Sequence, residues 1–196
     1  MSYHIYRSPA IILTYFDIGE SSRLLRLFTK EFGIVFARAQ GVRELRSKQR
    51  YNLRSLSLIN IDMVRGRGSW RIISAETRRS FSSIMGDEKK REAIAAPLLL
   101  LKKMFVGETA DSGLFDDVIC GMAFLEKGIF LKEELRDFEV LFVSKILYHL
   151  GYWEAHASDR ELFSGDSWSI DAFASMRPLR RELVARINQA ISAAHL

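Results

Sequence analysis

The hydrophobic pattern of this chain changes its period near Arg79, and this change limits the fold more than any other feature of the sequence. Before Arg79, β-branched and aromatic residues are interrupted by glycines, which is typical of short strands. After Arg79, apolar residues recur every three or four positions, which is typical of amphipathic helices. The pattern predicts an α+β protein, with a β-barrel domain over residues 1–80 and an all-α helical bundle over residues 81–196.

Five strands are predicted in the first part of the chain, at residues 10–16, 23–29, 33–40, 53–64 and 69–77. Residues 31–33 are interpreted as a tight turn that joins the second and third strands. In the third strand, Val35, Ala37 and Ala39 are expected to share one face. In the fourth strand the alternation shifts phase at Ile59, which predicts a β-bulge. Five short, curved antiparallel strands favour a small barrel of the OB type, although an SH3-like barrel satisfies the same pattern.

The second part of the chain contains several helix signals. Asp87 and Glu88 suit the start of a helix, and Pro97 is interpreted as the first turn of another. A third helix is predicted at residues 116–126, and a fourth ends at Gly151. The last helix is predicted to start near Ser169 and to be interrupted at Pro178.

Charge is distributed unevenly between the two parts. Residues 1–79 contain 15 Lys and Arg against 6 Asp and Glu, a net charge of +9, whereas the remainder has a net charge of −4. Such an asymmetry indicates that the first part attracts polyanions. An arginine-rich but merely solvated surface is the alternative.

The strongest local feature is a basic loop at residues 38–54, which carries six basic residues and one acid. Arginine suits nucleic acid because its planar guanidinium binds phosphate oxygens in pairs and stacks on unpaired bases. A second basic turn, at residues 65–68, follows the fourth strand. The candidate DNA-binding residues are Arg38, Arg43, Arg46, Lys48, Arg50, Arg65 and Arg67, and the candidate base-stacking residues are Tyr51 and Trp70.

Enzyme signatures are missing from the sequence. The four histidines have no metal-ligand spacing, and neither a nucleophile elbow nor a nucleotide-binding glycine loop occurs. His149 is interpreted as a structural histidine, and Cys120 as a small buried hydrophobe. The acid pairs at 116–117 and 133–134 are assigned to helix starts. We therefore expect no catalysis, no metal and no cofactor.

The sequence also bears on location. No stretch approaches the roughly 18 apolar residues that a transmembrane helix requires, and the first residues lack the pattern of a signal peptide. The single cysteine favours a reducing cytoplasm. We expect a cytoplasmic, nucleoid-associated protein without a membrane partner.

Near the end of the chain, four arginines alternate with apolar residues. They are Arg177, Arg180, Arg181 and Arg186, with Leu179, Leu183 and Ile187 between them. This mixture is compatible with a groove for an acidic, hydrophobic peptide. An ordinary amphipathic helix explains it as well.

The first 80 residues also resemble a known family. The run from Gly19 to Thr29 (GESSRLLRLFT), the run from Ala39 to Arg43 (AQGVR) and the turn at residues 65–68 (RGRG) are similar, in order and spacing, to the amino-terminal barrel of the RecO family. The helical part matches more loosely, through residues 138–151 and the arginine-bearing last helix.

This resemblance implies an OB-fold barrel and a helical domain that bind single- and double-stranded DNA. It also implies strand annealing, loading of the RecA recombinase on strands coated by single-strand-binding protein, and partnership with RecR. Several family members carry a four-cysteine zinc site, for which this chain, with one cysteine, lacks the ligands. The chain is also shorter than family members usually are, and Glu44-Leu45 interrupts the basic run of the loop.

The resulting hypothesis is a DNA-binding recombination and repair mediator that does not read sequence. An adaptor that binds acidic protein tails and an RNA-binding OB module, neither with mediator activity, are the alternatives.

Overall fold

The computed structural model describes residues 4–44, 53–66, 69–104, 109–153, 160–163 and 168–194. The chain folds into two compact units, and the boundary between them falls at Ser82. The first unit also includes the start of the third helix, through Phe115. The sequence-based division at residue 80 remains a proposal.

The first unit is a closed five-stranded barrel. Its strands are β1 (Ile5–Ile18), β2 (Ser22–Thr29), β3 (Gly33–Ala39), β4 (Ser57–Arg65) and β5 (Trp70–Ser80). They are ordered β1-β2-β3-β5-β4, and β4 pairs with β1 to close the barrel. The only parallel pairing among these strands joins β3 to β5, while the others are antiparallel. The five-stranded OB barrel predicted from the sequence is confirmed.

Alternation along the strands sends one set of apolar side chains into the barrel. Leu25, Leu27, Val35 and Ala37 are among the fully or almost fully buried members of this core. The predicted shared face of Val35, Ala37 and Ala39 in β3 is therefore confirmed, and it points into the barrel. The predicted turn before β3 is also confirmed, because Gly33 adopts a φ of +63° that residues with a side chain rarely adopt.

The starts of two strands differ by more than one residue from the sequence-based prediction. β1 starts five residues earlier than expected, because Pro9 is accommodated opposite Asn60 of β4. β4 starts at Ser57 rather than at residue 53, because Leu56 adopts a left-handed backbone with a φ of +58°. The predicted bulge is confirmed, since the register of β4 against β5 shifts between Leu58 and Ile59.

The second unit is helical. The helices are α1 (Ser82–Gly86), α2 (Glu88–Met104), α3 (Ser112–Lys127), α4 (Lys132–His149), α5 (Arg160–Phe163), α6 (Ile170–Met176) and α7 (Arg180–Ala193), and a 3₁₀ turn (Arg177–Leu179) joins the last two. Gly151, with a φ of +76°, follows α4 as predicted. Ser169 caps α6, its Oγ accepting a hydrogen bond from the Ala172 amide at 3.1 Å. No helix of the described residues is both long and apolar enough to cross a membrane.

Pro97 does not start a new helix, as the sequence predicted, but lies inside the continuous helix α2. A proline at this position removes one hydrogen bond, from its own nitrogen to the carbonyl of Ala93. Ala93, Pro97 and Leu101 share the buried side of α2, which packs against α4. We infer that this packing holds the helix continuous.

Two buried charges anchor the helical unit. Lys145 is 1% exposed, and its Nζ donates to both carboxylate oxygens of Asp117 at 2.9 and 3.0 Å. Asp137 is fully buried and accepts from Arg177 at 2.9 and 3.0 Å and from Arg180 at 3.0 Å. Each buried charge is thus paired, which limits its cost of desolvation.

Asp117 has a different position from the one predicted. It lies in the second turn of α3 rather than at a helix start, and it also binds His149 Nε2 at 3.0 Å. Burial raises the pKa of Asp117, but the hydrogen bonds from His149 and Lys145 outweigh burial and lower it. The neighbouring prediction for Cys120 is wrong, because its side chain lies on the exposed side of α3.

Candidate nucleic-acid interface

The outer face of the first three strands presents two rows of side chains across the barrel. The register of the strands aligns Thr14, Arg26 and Phe36 in one row. It aligns Phe16, Leu24 and Arg38 in the other, and the parallel pairing of β3 with β5 continues this row to Arg71. We call Phe16, Leu24, Arg26, Phe36, Arg38 and Arg71 the front face.

The front face combines exposed aromatic rings with guanidinium groups. Phe16 is 56% exposed and Phe36 is 47% exposed, although strand aromatics usually turn inward. The Arg26 guanidinium lies 5.4 Å from the centre of the Phe36 ring, and burial lowers the pKa of Arg26. Arginine nevertheless keeps its charge in proteins, so the face remains cationic. Rings beside cations are the arrangement with which OB barrels hold single strands.

A cavity of about 270 Å³ lies where the second row ends. We call it the arginine cavity. It is lined by Arg38, Gln40, Val64, Arg65, Gly66, Ser69, Trp70 and Arg71. Of these lining residues, three are arginines, contributed by β3, β4 and β5, and none is acidic. The arginine cavity is therefore an anion-attracting site.

The predicted DNA-binding residues do not all lie at the same place on the barrel. Arg38 and Arg65 meet at the arginine cavity, although they are distant in sequence. Arg43 instead donates to the Gly19 carbonyl at 2.8 Å and lies 3.5 Å from Asp17. These contacts tie Arg43 to the β1–β2 turn, so binding DNA through it would compete with them.

Five further candidates, Arg46, Lys48, Arg50, Tyr51 and Arg67, lie outside the described residues. Their roles stay predictions.

Trp70, the other candidate for base stacking, is 4% exposed. Its ring packs in the barrel core, with Tyr6 at 5.1 Å and Phe32 at 5.3 Å between ring centres. Arg65 lies over the same ring at 5.4 Å. This position favours the core role over base stacking.

Sequence reasoning missed five of the six residues of the front face, which are Phe16, Leu24, Arg26, Phe36 and Arg71. A signal for one of them was available. Because Val35 and Ala37 were expected to share one face of the strand, strand alternation places Phe36 on the opposite face. Arg71 gave no such signal, since its position beside Arg38 depends on the pairing of two strands distant in sequence.

The helical unit carries a separate groove of about 690 Å³ between α2, α4 and α7. We call it the helical groove. Its apolar residues include Leu99, Val140, Val184 and Ile187, and its basic residues are Lys103, Arg136, Arg180 and Arg181.

Several of these charges are already engaged. Arg136 and Arg180 both pair with Glu133, at 2.7 and 2.9 Å, and the hydrogen bond from Arg180 is the main cause of a lowered pKa of Glu133. Lys103 and Arg181 form no ion pair among the residues that the structure describes. Glu139 also lines the groove, and burial raises its pKa.

The sequence of the barrel is similar to that of a known protein family. Residues 1–81 match the family model described as "Recombination protein O N terminal". Residues 1–81 are therefore similar to the amino-terminal domain of RecO. The resemblance inferred from the sequence is thereby confirmed.

Several curated relatives share the RecO name. The chain is 32% identical over 124 residues to the DNA repair protein RecO of Rubrobacter xylanophilus, covering 63% of this chain and 50% of that protein. It is 31% identical over 104 residues to DNA repair protein RecO of a Nocardioides species, covering 53% and 43%. It is 28% identical over 151 residues to DNA repair protein RecO of Clostridium novyi, covering 76% and 57%. The chain thus spans about half the length of the RecO relatives it matches.

Proposed function

We propose that this chain binds DNA through the front face of its barrel and acts in recombinational DNA repair. The observation that carries the proposal is the pair of exposed rings, Phe16 and Phe36, set among Arg26, Arg38 and Arg71. Exposed aromatic rings accept unpaired bases, while arginines hold phosphates without reading sequence. The charge of +9 on residues 1–79 provides the long-range attraction.

The mediator role rests on the relatives, which are named DNA repair proteins. It comprises binding of single- and double-stranded DNA, annealing of complementary strands, and help in loading RecA on strands coated by single-strand-binding protein. RecR is the proposed partner, and the proposed location is the nucleoid in the cytoplasm. In this role the protein acts by binding rather than by catalysis.

The helical groove supports a second partner, the acidic tail of single-strand-binding protein. Its apolar floor and basic rim complement a peptide that is both acidic and hydrophobic. Arg180, Arg181 and Ile187, which the sequence singled out, all line this groove. Arg177 is not part of this lining, and its guanidinium donates to Asp137.

A salt titration tests the DNA-binding proposal. For a single-stranded oligomer, the slope of log affinity against log salt is about −0.7 for each phosphate contacted. If about six cations contact the strand, the slope is about −4. The variant Arg38→Ala/Arg71→Ala should reduce its magnitude by about 1.4. Arg78→Ala, which removes another exposed arginine of β5, is the matched control and should leave it unchanged.

The same binding assay tests whether the Phe16 and Phe36 rings stack on bases. Phe16→Ser/Phe36→Ser should weaken binding by about 1–3 kcal/mol for each base that loses its stacking partner, with little change in the salt slope. Ile5→Ser, which removes an exposed apolar side chain of β1, is the control. A flat salt dependence, or equal losses in ring and control variants, would contradict the proposal.

An RNA-binding module is the alternative function for the barrel. Matched RNA and DNA oligomers distinguish the two, because a protein that uses the 2′-hydroxyl prefers RNA. The DNA proposal requires affinity for DNA at least equal to that for RNA.

A further inference from the structure

We propose that the arginine cavity is a pocket for the phosphate monoester at a strand end. It would make the barrel sensitive to whether the DNA end is phosphorylated. This inference rests on the proposed DNA binding of the front face and adds the recognition of one chemical group to it.

Three cationic side chains surround one small space at the arginine cavity. Arg38, Arg65 and Arg71 reach the cavity from three different strands. Arg38 and Arg71 are adjacent because β3 and β5 pair in parallel at this point. Both are exposed, and Arg71 has no ion pair among the described residues. Two fork-shaped guanidinium groups therefore flank the same volume.

The positive charge of the arginine cavity matches a terminal phosphate better than a phosphate inside a strand. A phosphodiester inside a strand carries a single negative charge, so three arginines exceed what it requires. A phosphate monoester carries about −1.5 to −2 charges at pH 7 and offers three acceptor oxygens. Three guanidinium groups suit this terminal group, since hydrogen bonds between two charged partners are the strong ones.

The arginine cavity also has the position and the size that a strand end requires. The row from Phe16 through Leu24 to Arg38 leads directly to Arg71 at the cavity. A strand that lies on the front face would thus bring one of its ends to the pocket. The cavity, at about 270 Å³, exceeds many times the roughly 30 Å³ that one water molecule occupies in the liquid. It therefore has room for a phosphate together with part of its nucleotide.

The experiment compares three single-stranded oligomers of one sequence, with a 5′-phosphate, a 3′-phosphate or hydroxyls at both ends. Fluorescence anisotropy at fixed salt gives their affinities for the full chain. We expect one phosphorylated oligomer to bind about tenfold more tightly than the hydroxyl form, as for hydrogen bonds to a charged group. This advantage should shrink below about pH 6, where the monoester gains a proton.

Variants locate the effect. Arg71→Ala should abolish the advantage and Arg71→Lys should reduce it, because lysine keeps the charge but lacks the planar fork. Arg78→Ala should retain it in full. Since Arg71 is exposed on β5, its replacement leaves the barrel core intact.

Competition separates a strand end from free phosphate. Inorganic phosphate that removes the advantage would indicate a pocket for the phosphate alone, and 5′-dAMP acting at lower concentration would indicate a pocket for the terminal nucleotide. Both results support the proposal. An advantage that survives both competitors and Arg71→Ala would overturn it, as would equal affinity for all three oligomers. Failure of all three to bind would instead refute the DNA-binding function itself.

Discussion

Lys145 shows how a single buried charge fixes the identity of its neighbours. An ammonium group that is 1% exposed is stable only with a partner, and Asp117 supplies both of its carboxylate oxygens. His149 Nε2 completes the cluster and lies 3.0 Å from Asp117 Oδ2, an oxygen that Lys145 also contacts. The sequence identified His149 as structural, but it gave no indication that Asp117 would be its partner.

Removing the carboxylate should destabilise the protein strongly. We expect Asp117→Asn to lower the free energy of unfolding by about 3 kcal/mol, because it leaves the Lys145 ammonium buried without its counter-ion. The double variant Asp117→Asn/Lys145→Met should recover most of this loss. Urea unfolding followed by tryptophan fluorescence measures both variants, and Trp168, whose ring centre lies 5.8 Å from Lys145 Nζ, is one of the three reporters.

The same pair predicts an acid dependence. Because the folded state lowers the pKa of Asp117, the stability that it contributes is present above the unfolded pKa of about 3.9 and is lost as the pH falls through the folded value. Below about pH 4 the wild type should lose stability more steeply than Asp117→Asn. Parallel curves for the two proteins, or no recovery in the double variant, would argue against this account.

At the scale of elements, the helical groove is built from three helices that no local pattern connects. Leu99 of α2, Val140 of α4 and Val184 of α7 become neighbours only because α2 and α7 both pack against α4. Each helix alone is an ordinary amphipathic helix, as its sequence suggested. The docking surface therefore exists only when the three helices are packed together.

The groove proposal leads to a binding experiment with a synthetic peptide of the acidic tail of single-strand-binding protein. Val184→Asp should weaken its binding about tenfold or more, because it places a like charge on the apolar floor. Arg181→Glu should act in the same direction. Lys127→Glu reverses an exposed charge at the end of α3, away from the groove lining, and serves as control. Equal affinities in calorimetry for the wild type and both groove variants would exclude the groove.

At the scale of the whole molecule, the two parts of the chain carry net charges of opposite sign. Residues 1–79 carry a net charge of +9, and the remaining residues carry a net charge of −4. A polyanion is thus attracted to the barrel, whereas the helical unit offers only a local basic rim at its groove. Annealing of coated strands would require both surfaces: the barrel would bind the DNA, and the helical groove would bind the protein that coats it.

Strand annealing therefore separates the mediator from a simple adaptor. With bare complementary strands, Arg38→Ala/Arg71→Ala should slow annealing several-fold, and Val184→Asp should not. With strands coated by single-strand-binding protein, both variants should slow it. A wild type that binds DNA and the tail peptide but anneals no faster than buffer would favour the adaptor.

The sequence alone determined that strands are followed by helices, and it located several of the turns, bulges and helix ends. Strand alternation placed Val35 and Ala37 on one face, the phase shift located the bulge at Ile59, and Gly151 ended α4. These features follow from local backbone and side-chain periodicity, so a single chain is enough to recognise them. Pro97 was misinterpreted because its cost to a helix is local, whereas the packing that offsets it is tertiary.

The tertiary structure decided which residues act together. Arg38 and Arg71 meet because β3 and β5 pair in parallel, and this pairing is a long-range event without a sequence period. The candidate stacking rings likewise changed, from Trp70 in the core to Phe16 and Phe36 on the outer face. Charge and composition indicated a nucleic-acid surface, but only barrel closure placed its cations around one cavity, since closure fixes which side chains share a face.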